Sequence, residues 1–367
     1  MGAAAEAAFR CWTVLRAVSR CLSVEDLFSF ARCDTLWEEV TLPLLSRRLR
    51  FFALFQEQFG SRSLSQAFAE ELEFRLRLAQ KAERHPVLAM VFCSYKQYDA
   101  SSLASRFPDQ TSVVQVYVEE PMCFTRRGDT RCRSASLCVL VLFRYPGVEL
   151  ECERAPCAAC RKAAAPTASI VGVKRKHQRR CANRASVTFR HRGTGYPARL
   201  AFYASSAFNK ATFRSPPILN HVASCMLWTN RLKVLRPVTG EPTGRPLLWG
   251  SILYGDVVRA CSLKYPAKTT IRQMAKHLEG ARDEFGNVEE ALVLFFQEGK
   301  IDVSVCEVIR TVFRGAAVIL GAVNSLALDV GPFYRSTEPE DTVGLCWTVE
   351  CVGHIDTPVI VTLLGIR

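Results

Sequence analysis

Hydrophobic positions change their period several times along this chain, and the changes divide it. Cys11, Leu15, Val18 and Leu22 recur at helical spacing, which predicts an amphipathic helix beginning near Phe9. Ser23-Val24-Glu25-Asp26 then has the form of a capping box, with a hydroxyl for an orphan helix N–H and acids on the positive helix end. Val24, Leu27, Phe28 and Ala31 give a second short helix one apolar face, and Asp34-Thr35 caps a third that carries Leu36, Trp37, Val40 and Leu44. The stripe continues through Leu49, Phe52, Phe55 and Phe59 and restarts at Leu64, Phe68 and Leu72, predicting a helical connector over 46–84. Leu72, Phe74, Leu76 and Leu78 alternate as a strand would, but the Glu and Arg between them favour helix.

Short apolar runs then replace the helical period. Strands are predicted at Val87–Ser94, Ser112–Val118, Ser136–Phe143 and Val148–Cys152, with a brief helix over Asp99–Phe107 and a tight turn at Arg144-Tyr145-Pro146-Gly147. The same succession recurs near the C-terminus: strands at Glu290–Phe296, Ala316–Val323, Thr342–Glu350 and Pro358–Leu364, and a helix over Asp302–Phe313. Corresponding strands stand 203 to 210 positions apart, so the expectation is an α+β chain whose mixed sheet domain contains two βαβββ repeats. Leu247–Tyr254 reads as a further strand. Pro266–Phe285 reads as a helix with a capping box from Thr270 to Gln273 and Gly286 at its end.

Charge changes the picture in one place. The formal net charge is +13 over 367 residues, but Arg154 to Gly240 holds 17 basic residues and no acidic one, leaving the flanks with 31 basic against 35 acidic. Any polyanion-binding role therefore rests on that segment. Sixteen cysteines without a charged-then-apolar leader point to reduced thiols and a cytoplasmic or nuclear location. No apolar run approaches a membrane span. The expected domains are a helical module at 9–45, a connector at 46–84, a first sheet unit at 85–153, a basic insertion at 154–240 for which disorder is one reading, and a second unit with its preceding helix at 241–367.

Candidate chemistry is sparse. Cys157, Cys160, His177 and Cys181 have a C-x2-C-x16-H-x3-C spacing compatible with tetrahedral zinc, but lack the apolar residues that build a finger's small core; plain reduced cysteines are the simpler reading. Lys174, Arg175, Lys176, Arg179 and Arg180 form a cluster of nuclear-localisation or phosphate-gripping type, or else a solvated loop. No metalloprotease, phosphate-loop, nucleophile-elbow or kinase signature is present, so the chain reads as non-catalytic with no cofactor expected.

The opening helices, with Leu22-Ser23, Glu25-Asp26-Leu27, Arg32-Cys33 and Trp37, resemble an F-box, although Ala5-Glu6-Ala7-Ala8 stands where such modules carry Leu-Pro. Together with Ala69-Glu70-Glu71-Leu72-Glu73, His85–Ser94, Cys138–Glu151, Asn287–Leu328 and Val343-Gly344-Leu345, the chain resembles the F-box only protein 22-like family, which joins an F-box to FIST-domain halves. That resemblance implies a substrate-recognition subunit of a cullin–RING ubiquitin ligase. Leu15, Val18, Leu22, Leu27 and Trp37 would dock on the Skp adaptor, and the sheet domain would hold a protein target near the ubiquitin-carrying enzyme. Two other classes stay open: a nucleic-acid or chromatin-associated protein using 154–240, and a small-ligand sensor with its pocket between the two sheet units.

Overall fold

The structure, a computed structural model, describes residues 11–57, 64–94, 100–124, 135–155, 187–192, 196–205, 223–229, 232–236, 248–265, 268–286, 291–299, 302–323, 325–327, 344–349 and 359–366. Among these it is α+β, with seven helices and three mixed five-stranded sheets. Three helices open the chain: α1 (Trp12–Cys21), α2 (Val24–Ala31) and α3 (Thr35–Arg48). Next come β1 (Phe51–Glu57), α4 (Gln66–Lys81), β2 (Pro86–Cys93), the single turn α5 (Ser101–Ala104), β3 (Ser112–Tyr117), β4 (Glu119–Phe124), β5 (Ala135–Phe143) and β6 (Glu149–Ala155). The middle holds β7 (Val187–Arg192), β8 (Ala198–Ser205), β9 (Ala223–Trp228), β10 (Leu232–Arg236), β11 (Leu248–Tyr254) and β12 (Val258–Tyr265). The last part is α6 (Ile271–Phe285), β13 (Leu292–Glu298), α7 (Val303–Val312), β14 (Ala317–Val323), β15 (Ser325–Ala327), β16 (Gly344–Val349) and β17 (Val359–Ile366).

The first sheet has the order β1-β5-β2-β3-β10 and the second β12-β17-β13-β14-β4. Position by position the two share the same sense: antiparallel, antiparallel, parallel, antiparallel. In each, a helix leads into the central strand and another crosses from it to its parallel neighbour. The third sheet, β15-β9-β8-β11-β6, packs on the inner faces of the other two.

Period-two burial assigns the side chains to layers. Leu88, Met90 and Phe92 of β2 enter the central core with Leu292, Leu294 and Phe296 of β13 and Phe202 of β8. The alternate residues Ala89, Val91 and Cys93 face outward against Phe28, Leu72 and Leu76 of the first helical layer. Val293 and Phe295 likewise face Met274, Leu278 and Ile309 of α6 and α7. Both sheets are thus covered on both faces, which is why their central strands read as continuous apolar runs.

Three expectations need correction. Within 46–84, residues Phe51–Glu57 are a strand, paired with β5 from Phe51↔Leu142 to Glu57↔Ala135. The run Phe51-Phe52-Ala53-Leu54-Phe55 fits a helical stripe and a doubly covered strand alike, and here Ala53 enters the central core while Phe52 and Leu54 enter the helical one. Secondly, the described parts of 154–240 are not a disordered insertion. Leu200, Phe202 and Ala204 of β8, Cys225 and Leu227 of β9, and Leu232 and Val234 of β10 are all buried, because alternation rather than charge sets burial. Thirdly, the strand correspondence shifts. Gly344–Val349 pairs with β7 in a separate two-stranded ribbon, and β17 takes the place beside β13 that β5 takes beside β2. The strand Glu149–Ala155 leaves the first sheet to pair with β11 in the third.

Other expectations agree with the structure. The Leu72–Leu78 segment is helical within α4, and Thr270 and Gln273 form the capping box of α6. Gly286 follows that helix with φ 86°, a conformation glycine adopts without the Cβ penalty.

Candidate docking surface

The three opening helices form a unit whose inner side is anchored and whose outer side carries three exposed apolar residues on its first helix. Ser23 caps α2, its hydroxyl oxygen accepting the Asp26 N–H at 3.1 Å and its O–H donating to the Asp26 carboxylate at 2.6 Å. Asp34 caps α3 by accepting the Leu36 N–H at 2.8 Å. The rings of Phe30 and Trp37 stack with centroids 4.5 Å apart, joining α2 to α3. Leu27, Phe28 and Ala31 of α2, with Leu45 of α3, sink into the helical core over the first sheet.

Charged contacts fix this unit to α4. The Arg75 side chain is only 9% exposed; its guanidinium bonds Glu25 of α2 at 2.7 Å and Glu71 of its own helix at 2.6 Å. It also lies 4.9 Å from the Phe28 ring centre and 5.6 Å from that of Phe52, so one side chain ties α2, α4 and β1 together. Arg32 reaches Glu71 at 2.5 Å, Lys81 pairs with Glu38, and Arg48 donates to the Leu22 carbonyl at 2.7 Å. Replacing Arg75 by alanine removes the guanidinium that Glu25 and Glu71 share, although Glu71 keeps Arg32, and is expected to lower the unfolding free energy by about 1–3 kcal/mol. Denaturant melts of the variant and the parent measure that difference.

Helix α1 is held differently. Leu15 is 1% exposed and Ser19 is fully buried, so one edge of the helix faces inward. Trp12, Val14 and Val18 stand 37–39% exposed, with the Arg16 guanidinium 5.0 Å from the Trp12 ring. Of the five residues expected to dock a partner, only Val18 is exposed. Leu22 and Trp37 are half-buried, while Leu15 and Leu27 belong to the interior. Leu27 lies in the helical core over the first sheet and Leu15 is buried, so neither side chain is presented at the surface of the chain alone. The exposed apolar residues are Val14 and Val18 on one flank of the Leu15–Ser19 edge and Trp12 on the other. Trp12 and Val14 lie beside the stripe that periodicity selects, which explains why that stripe located the anchor rather than the outer face.

No protein-family model matches the chain, and a search of curated proteins returns no match. The reading of this surface therefore rests on its own geometry.

The remaining sequence candidates fall elsewhere. Cys157, Cys160, His177 and Cys181, and Lys174, Arg175, Lys176, Arg179 and Arg180, all lie outside the described residues. Among the described residues no group of three His, Cys, Asp or Glu side chains is placed to hold a metal ion, and no helix is long and apolar enough to cross a membrane. Burial pushes the Tyr265 phenol up, with Cys261 beside it adding to the shift, and burial and then Glu284 push the Cys261 thiol up. Both groups are thereby held in their protonated forms at neutral pH.

Cys11 behaves in the opposite way. It is exposed at the N-terminal end of α1, and the Val14 and Thr13 backbone N–H groups there hold its thiol below the ordinary value. Its thiolate fraction near pH 7 is raised accordingly. Iodoacetamide is expected to alkylate Cys11 faster than the exposed Cys21 and Cys33, whose sulfurs bond helix carbonyls at 3.6 and 3.5 Å. Peptide mass spectrometry over a labelling time course checks the order.

Proposed function

We propose that this protein is a substrate-recognition subunit of a cullin–RING ubiquitin ligase, with α1–α3 an F-box-like module that docks on the Skp adaptor. The observation that carries the reading is the division of labour on α1. Leu15 and Ser19 hold the helix down while Val14 and Val18, one turn apart, stand exposed on one flank of that buried edge and Trp12 on the other, apolar positions open to a partner. Clamping by Arg75, Arg32 and Lys81 keeps those positions in a fixed relation to the sheets, as positioning a bound target near a second enzyme requires.

The matching order and sense of the first two sheets support an internal duplication of FIST-half type, with β1 and β12 as equivalent strands. In this reading the sheet layers hold the protein target and the adaptor lies at the opposite, helical side. Co-expression with the Skp adaptor tests the assignment: the two chains should elute together on size exclusion, and separate elution at micromolar concentration would refute it.

A further inference from the structure

A cavity of about 300 Å³ lies where the first and third sheets meet the end of β17. Its walls are Leu142, Leu150, Leu253, Val148 and Ile366, and its rim carries two exposed charged residues, Arg144 and Glu149. Inward of it a separate void of about 20 Å³ shares Leu142, Leu150 and Leu253 and lies beside Phe202 and Leu294 of the central core. The cavity's volume sits at the small end for ligand pockets, and its aliphatic walls suit a short aliphatic chain.

The rim sets the sign of the other end of that ligand. Arg84 donates to the Arg144 carbonyl at 3.3 Å, and the guanidiniums of Arg84 and Arg50 lie 5.0 and 3.7 Å from the ring centre of Tyr145, next along the β5–β6 turn. Of the lining residues Arg144 is the one cation and Glu149 the one anion, and Arg84 and Arg50 add positive charge behind the β5–β6 turn. Among the described residues no carboxylate lies within ion-pair reach of Arg144, whose planar donor fork suits a carboxylate bidentately.

We propose that this cavity binds a medium-chain aliphatic carboxylate, with its tail between the sheets and its head on Arg144. The site is separate from the α1 docking face, and its test does not depend on adaptor binding.

Calorimetric titration of the full chain with hexanoate, octanoate, decanoate and tetradecanoate, each below its micelle concentration, tests the assignment. Affinity should rise about fourfold per methylene over the shorter chains and stop rising once the cavity is full. Octanoate should bind more tightly than 1-octanol. Arg144→Ala should weaken octanoate about tenfold or more while leaving 1-octanol nearly unchanged. Arg144 is exposed on a turn, and a thermal melt confirms that the variant is folded. Absence of saturable binding, equal affinity for octanoate and octanol, octanoate binding that survives Arg144→Ala, or affinity still climbing through tetradecanoate would each overturn the proposal.

Discussion

Alanine at Phe296 should lower the unfolding free energy by about 3–5 kcal/mol, a large share of the roughly 5–15 kcal/mol that holds a typical domain together. The ring is fully buried, 5.8 Å from Phe92 of the first sheet and 6.3 Å from Phe202 of the third, while its own strand sits in the second. Gly321 on the neighbouring strand leaves room for it: a Cβ there would approach the ring to 3.2 Å. Deleting the ring removes the contact that three sheets share, and the surrounding strands cannot all close on the gap. Phe296→Leu, which keeps most of the volume, should cost far less, within about 1.5 kcal/mol. Tryptophan fluorescence, to which the buried Trp249 contributes, and far-UV circular dichroism, followed through a urea titration, should shift together. A Phe296→Ala variant within 1 kcal/mol of the parent would mean that the three sheets do not depend on one core.

The second large effect falls on binding rather than stability. Exchanging Trp12 and Val18 together for alanine should weaken the adaptor complex by about thirtyfold or more, since a central aromatic anchor alone accounts for about 2 kcal/mol in many interfaces. The melting temperature should barely move, because both side chains are already more than a third exposed. Leu27→Ala supplies the opposite pattern. Leu27 is fully buried beneath α2, so its truncation should cost about 2–5 kcal/mol of stability. It should affect binding only through the fraction unfolded. Equal loss of binding in the two variants at matched folded fraction would argue against an exposed ridge on α1.

Much of the fold is visible in the sequence where one periodicity dominates. Helices α2 and α6 announce themselves through Ser23 and Thr270 at their caps and through apolar stripes that face a single core. The central strands Pro86–Cys93 and Leu292–Glu298 announce themselves through unbroken apolar runs, because both of their faces are covered. Strand β1 is hidden for the same reason: five successive apolar residues carry no period at all, and long-range pairing with β5 decides the outcome. Strand β4 follows β3 in the chain yet pairs with β14 of the second sheet, a partnership that local pattern cannot express. In the basic segment the alternation at Leu200, Phe202 and Ala204 is legible, but the absence of acidic residues draws attention to solvent instead.

The docking surface is only partly legible. Helical spacing marks which side of α1 is apolar but not which of two apolar edges turns inward. Leu15 wins the inner position and Trp12, Val14 and Val18 are left outside. Arg75 is likewise indistinguishable by pattern from its solvated neighbour Arg77, because its partners Glu25 and Phe52 come from elsewhere in the chain.

Amide hydrogen exchange on the full chain, alone and saturated with the purified Skp adaptor, tests the docking assignment most directly. Slower exchange should appear on binding across Trp12–Cys21 and the turn into α2, with the strands of all three sheets unchanged. Unchanged exchange throughout α1, with protection appearing instead on the sheets, would contradict it.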